Sequence, residues 1–102
     1  MRTRRLAIAS LLALALPASA HDFVCRNGSA ERMISVEHEI EGQDLPCVVK
    51  YDKKDTGDVL FPWNAANTPG FCEEKAEYLA DRLGKFGWTC ERTDAEPQNE
   101  SY

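Results

Sequence analysis

The chain has 102 residues, with 12 Lys and Arg against 17 Asp and Glu, for a formal net charge of −5. That balance argues against nucleic-acid binding, which rests on neutralising phosphates with Lys and Arg. The length suffices for one domain, and a domain of this size is marginal on core burial alone.

The first five residues carry Arg2, Arg4 and Arg5 and no acid. An apolar run follows from Leu6 to Leu16, broken by Ser10; Pro17 ends it, and Ala18-Ser19-Ala20 makes a small-x-small site. Charged start, short apolar run and cleavage site predict a secretory signal over residues 1–20. The run is shorter than the roughly 20 apolar residues that span a bilayer. Arg4-Arg5 hints at twin-arginine export, but Leu6-Ala7-Ile8 fits that pattern poorly, and the general secretory route is favoured. Cleavage would begin the product at His21, which is not the Cys of a lipoprotein, and would leave no membrane anchor. Loss of the three Arg takes the net charge from −5 to −8. The product is then a periplasmic or secreted domain over 21–93, followed by a polar stretch, 94–102, that reads as a disordered tail.

All four cysteines (Cys25, Cys47, Cys72 and Cys90) lie after the signal. An even count in a short exported chain reads as a disulfide framework. A four-cysteine zinc site would show tight C-x2–4-C pairs, whereas the gaps here are 21, 24 and 17 residues.

Along the domain, Phe23 and Cys25 alternate with Val24 as a short strand, and Asn27-Gly28-Ser29 marks a turn. Ile34, Val36, His38 and Ile40 then recur at every second residue, as do Cys47, Val49 and Tyr51. These are two strands with one buried face each. Placing Ile40 opposite Cys47 sets His38 against Val49 and Val36 against Tyr51, with Glu37 opposite Lys50 on the outer face. Val59-Leu60-Phe61 predicts a short fourth strand that ends, or lies at an edge, at Pro62. Thr68-Pro69 predicts a helix start, with Thr68 as N-cap and Pro69 at the first position. Glu73 and Glu74 near its start and Arg82 and Lys85 near its end suit the helix dipole. Cys72, Ala76, Leu79, Ala80 and Leu83 form its buried stripe, Gly87 its stop, and Trp88-Thr89-Cys90 a short return strand. The expected fold is α+β: a four-stranded antiparallel meander, one helix on its inner face and a short final strand, stabilised by disulfides. Tracing that meander puts Cys25 and Cys90 at one end and Cys47 and Cys72 at the other, which predicts the pairs Cys25–Cys90 and Cys47–Cys72.

The pattern Leu45-Pro46-Cys47-x-Val49-x-Tyr51, then Trp63-x-Ala65-x-Asn67-x-x-Gly70-x-Cys72-x-x-Lys75-Ala76, then Gly87-Trp88-x-Cys90 resembles a family of small exported proteobacterial proteins. The resemblance covers most of residues 45–90. It implies export and a compact cysteine-bearing domain, and it brings no active site with it.

The chain carries no C-x-x-C, G-x-S-x-G, H-E-x-x-H, P-loop or dinucleotide fingerprint. Carboxylate pairs such as Glu37/Glu39 and Glu73/Glu74 read as solvated surface of an acidic chain. The expectation is therefore a non-enzymatic binding module with an unknown protein partner and no cofactor. One alternative is copper binding: the α-amine and imidazole of a processed His21 chelate, and His38 adds a third nitrogen. That arrangement needs Cys25 opposite Ile34, which sets His21 opposite His38; a tighter Asn27-Gly28 turn would abolish it. Another alternative is inhibition of a basic hydrolase. Phe61, Trp63 and Trp88 are either core or, if Phe61 and Trp63 lie on the outer face, an apolar patch with an acidic rim.

Overall fold

The structure is a computed structural model that describes residues 21–93. The expected signal segment and acidic tail lie outside the described residues. Five strands form one antiparallel sheet: β1 (Phe23–Asn27), β2 (Ala30–His38), β3 (Cys47–Lys53), β4 (Asp58–Ala65) and β5 (Thr89–Arg92). The helix α1 (Phe71–Lys85) connects β4 to β5. The spatial order is β4-β3-β2-β1-β5, so the meander is intact and the last strand adds beside the first.

One face of the sheet is buried. Phe23, Cys25, Ile34, Val36, Cys47, Val49 and Tyr51 meet Cys72, Ala76, Ala80 and Leu83 of the helix. Ala76 and Ala80 are small, which lets the helix axis approach the sheet closely. Leu45, Trp63, Leu79 and Trp88 pack around this core half-buried.

The register differs from the expectation in a regular way. His38 pairs with Cys47, Val36 with Val49 and Ile34 with Tyr51. The β2–β3 pairing has slid by two residues, and Ile40 is exposed in the loop. The loop is longer than the sequence suggests because it folds on itself: Gln43 donates to the Ile40 carbonyl, and Glu39 donates to Pro46 to close the hairpin. Side-chain period is two, so the slip keeps Ile34, Val36, Cys47, Val49 and Tyr51 on the buried face, while His38 at the strand end and Ile40 beyond it are exposed. Lys50 still reaches Glu37, diagonally, at 3.8 Å. In the first hairpin, Asn27 pairs with Ala30 and Phe23 with Ile34, a two-residue Gly28-Ser29 turn.

β4 runs for eight residues straight through Pro62 instead of ending there. It is an edge strand, so the missing N–H costs no ladder bond. A bulge absorbs the irregularity: Val49 pairs with Trp63 but Tyr51 with Leu60, so β4 spends one extra residue in that interval. Leu60 and Trp63 therefore both pair with inward residues of β3, but only Trp63 packs against the core, and Leu60 stays exposed.

The helix starts later than Thr68. Gly70 precedes it in the left-handed region (φ 83°), without a side-chain cap, and Phe71 donates to the Thr68 carbonyl. Thr68-Pro69-Gly70-Phe71 is thus a type II turn, with Pro and Gly in the two central positions that turn favours. At the other end Trp88 donates to Leu83 and Gly87, at φ 97°, donates to Gly84. That pair of bonds is a Schellman stop, with Trp88 in position to pack on Leu83.

Disulfides join Cys25 to Cys90 and Cys47 to Cys72, the pairing that the strand trace predicts. The first ties β5 to β1, where the two residues are direct cross-strand partners. The second ties the first turn of α1 to the start of β3. Replacing Cys47 and Cys72 together by Ala opens a crosslink spanning 25 residues. The expected loss is about 3 kcal/mol in chemical denaturation. A loss below about 1 kcal/mol would mean that packing alone holds the helix start.

Candidate functional site

The helix has a buried stripe and two chemically different flanks. Phe71, Lys75, Tyr78 and Arg82 recur at spacings of four, three and four, which aligns them on the flank toward β4. Glu73 and Glu77, four apart, line the flank on the other side.

The Glu73/Glu77 flank is a polar clasp. Glu77 Oε2 accepts from Arg92 of β5 at 2.8 Å and lies 3.0 Å from His21 Nδ1. Arg92, followed by His21, holds the Glu77 carboxyl below its ordinary range. Asp22 completes the tie: its carboxylate accepts from the Val36 amide and its carbonyl from the Thr93 amide. Glu73 lies 4.0 Å from His38 Nε2, and the Asp44 carbonyl accepts from His38 Nδ1.

The two histidines are therefore directed to different carboxylates. The copper arrangement required Cys25 opposite Ile34; Cys25 instead pairs with Arg32, which removes His21 from the position opposite His38. Among the described residues no group of three or more His, Cys, Asp or Glu side chains is placed to hold a metal ion.

A second polar cluster locks the end of the sheet where the helix stops. Arg32 sits on the helix side of β2. Its Nε and Nη2 donate to the two carboxylate oxygens of Asp55 at 3.0 Å each, and Nη1 donates to Tyr51 Oη at 2.8 Å. Its guanidinium stacks 4.4 Å over the ring of Trp88, which the Schellman stop has just delivered. A planar fork can satisfy this geometry and a Lys cannot. Asp55 raises the Arg32 pKa further, and Arg32 lowers that of Asp55. The cluster pins the β3–β4 loop and accounts for Trp88 as structural.

The flank toward β4 is different. Lys75 Nζ lies 5.5 Å from the Phe71 ring, 5.8 Å from Trp63 and 5.4 Å from Tyr78. Trp63 and Tyr78 meet edge to face, 6.0 Å apart at 83°. Arg82 follows between Tyr78 and Phe86, at 5.8 and 5.7 Å, and donates to Tyr78 Oη at 3.2 Å. Cations and rings alternate along a seam between α1 and β4. Among the described residues neither Lys75 nor Arg82 has a carboxylate within 4 Å. Tyr78 is 45% exposed and Phe86 67%.

Of the two aromatics expected to form an outer-face patch, Trp63 belongs to this seam, half-buried. Phe61 is 55% exposed on the bulge. They do not form one outer-face patch, because the bulge turns Trp63 toward the helix. The charged group over the Trp63 ring is Lys75, at 5.8 Å. Lys75, Tyr78 and Phe86 were not evident as site residues; the signal that could have found them is the ring–cation alternation beside the apolar stripe.

Comparisons with models of protein families, with curated proteins and with solved structures find no match. The class is defined by the fold itself: a small α+β domain, one helix on a five-stranded antiparallel sheet, with two disulfides. No helix among the described residues is long and apolar enough to cross a membrane.

The Arg32–Asp55 lock has a pH signature. A carboxyl whose folded pKa is depressed contributes stability above its unfolded value, about 4, and loses it as pH falls through the folded value. Asp55→Asn is expected to lower stability at pH 7 and to flatten the acid limb between about pH 5 and 2. Denaturant midpoints measured across that range check this; parallel acid limbs for the two proteins would contradict it.

Proposed function

We propose that this chain is an exported, non-enzymatic binding module that engages a protein partner through the seam between α1 and β4. The observation that carries the reading is the exposure of Tyr78 and Phe86 beside Lys75 and Arg82, which lack carboxylate partners among the described residues. Structural aromatic–cation contacts do not need that exposure, whereas interfaces are enriched in Tyr, Trp, Phe and Arg. Two disulfides fit an oxidising compartment, and the charged start, apolar run and Ala18-Ser19-Ala20 fit export with processing before His21. The resemblance to small exported proteins agrees with that location.

Inhibition of a basic hydrolase is not favoured, since the seam is itself basic. The polar clusters are occupied in holding the fold: Glu77 by Arg92 and His21, Asp55 by Arg32. Site-specific photo-crosslinking in the native cell tests the reading. A photoreactive phenylalanine analogue in place of Tyr78 should give one defined protein adduct, identified by mass spectrometry. The same analogue in place of the exposed Thr89 on β5 should not. Identical adducts from both positions, or none from position 78, would count against it.

A further inference from the structure

The seam's chemistry specifies its partner more narrowly. Building on the binding role above, we infer that the seam docks an acidic, apolar-bearing peptide segment of the partner, with carboxylates on Lys75 and Arg82 and apolar side chains on Trp63, Tyr78 and Phe86.

Charge complementarity carries the argument. The chain is acidic overall, at −5, and the described ion pairs neutralise Arg26, Arg32, Lys50, Lys54 and Arg92 with carboxylates. Lys53, Lys75, Arg82 and Lys85 are in none of these pairs, and of the four Lys75 and Arg82 each lie over two or more rings of the seam. A ring face attracts a cation without cancelling its charge, so each remains able to receive an anion. Seven residues of helix separate them, about 10.5 Å at 1.5 Å per residue. Acidic side chains three residues apart on an extended segment, or seven apart on a helix, match that spacing. Tyr78 lies between the two cations and offers an apolar surface with a hydroxyl edge.

The surroundings limit the footprint. Glu74 and Asp81 are exposed on the helix beside the seam. They would repel a broad anionic surface such as a phospholipid headgroup layer or a nucleic-acid backbone, while a single peptide segment avoids them. On the other side, β4 carries Pro62 and a bulge. These blunt the sheet edge against strand addition, so the partner docks by side chains and does not extend the sheet.

The test uses the purified oxidised protein and a synthetic 15-residue amphipathic helical peptide. The peptide carries Glu at two positions seven apart with Leu between them; a second peptide has Gln in place of both Glu. Binding is read from the Trp63 indole N–H resonance. The Glu peptide is expected to shift that resonance saturably, and to bind about tenfold more tightly than the Gln peptide. It should weaken several-fold between 0.05 and 0.3 M NaCl, as the screening length shortens over that range. Lys75→Gln with Arg82→Gln should remove the preference, and Lys75→Arg should retain it. Equal affinity for the two peptides, absence of a shift with either, or tighter binding to phosphatidylglycerol vesicles than to the Glu peptide would overturn the inference. If these results go against it while position 78 still crosslinks one defined protein, the acidic-segment assignment fails and the binding role stands. Loss of both removes the binding role as well.

Discussion

One helix has to cover a sheet that is wider than itself. Five strands span about 19 Å across the hydrogen-bonding direction, whereas a helix with its side chains is about 10–12 Å wide. The apolar contact can therefore be continuous only along a central strip, where Ala76 and Ala80 let α1 sit close over Ile34, Val36 and Val49. Both margins need another way to keep water off the edges of the core. Long amphipathic side chains and aromatic rings do this, because each presents an apolar body inward and a polar end outward. The two margins differ in which residues they use, and that difference gives the molecule its two faces.

On the β5 side the margin is closed by charge. Glu77 gathers Arg92 and His21, and the Cys25–Cys90 bond ties the four-residue β5 to β1 beneath it. On the β4 side it is closed by rings: Trp63, Tyr78 and Phe71 surround Lys75. The end where the helix stops is closed by Arg32, stacked on Trp88 and anchored to Asp55. The carboxylate-bearing margins are internally satisfied. The aromatic margin keeps its positive charges, and this is why we propose the binding role there.

The sequence reveals faces better than positions. Alternation identified Ile34, Val36, Cys47, Val49 and Tyr51 as inward but overran the strand at His38 and Ile40, and the stripe through Cys72, Ala76, Ala80 and Leu83 identified the helix face. The disulfide pairing was legible because it depends on which end of the meander each cysteine occupies. A two-residue slip changes neither face nor end. Register itself was not legible, since period-two patterns fit equally well two residues apart and the 39–46 loop decided between them. The helix start was missed because Pro69-Gly70 serves a type II turn more strongly than Thr68-Pro69 serves a cap. The length of β4 was missed because the bulge that lets a strand pass Pro62 leaves no mark in the residue pattern. The seam was the least legible feature. Its members come from β4 and α1, and only the fold shows that Trp63 reaches the Lys75–Tyr78 flank.

The central claim is that Lys75 lies in an aromatic cage at the β4 margin, unpaired with any described carboxylate. Solution NMR of the oxidised protein tests it most directly. Ring currents from three faces should move the Lys75 side-chain methylene protons upfield of their ordinary positions, and nuclear Overhauser contacts should join them to Trp63, Phe71 and Tyr78. Lys75 methylene protons at their ordinary shifts, without contacts to these rings, would contradict the account.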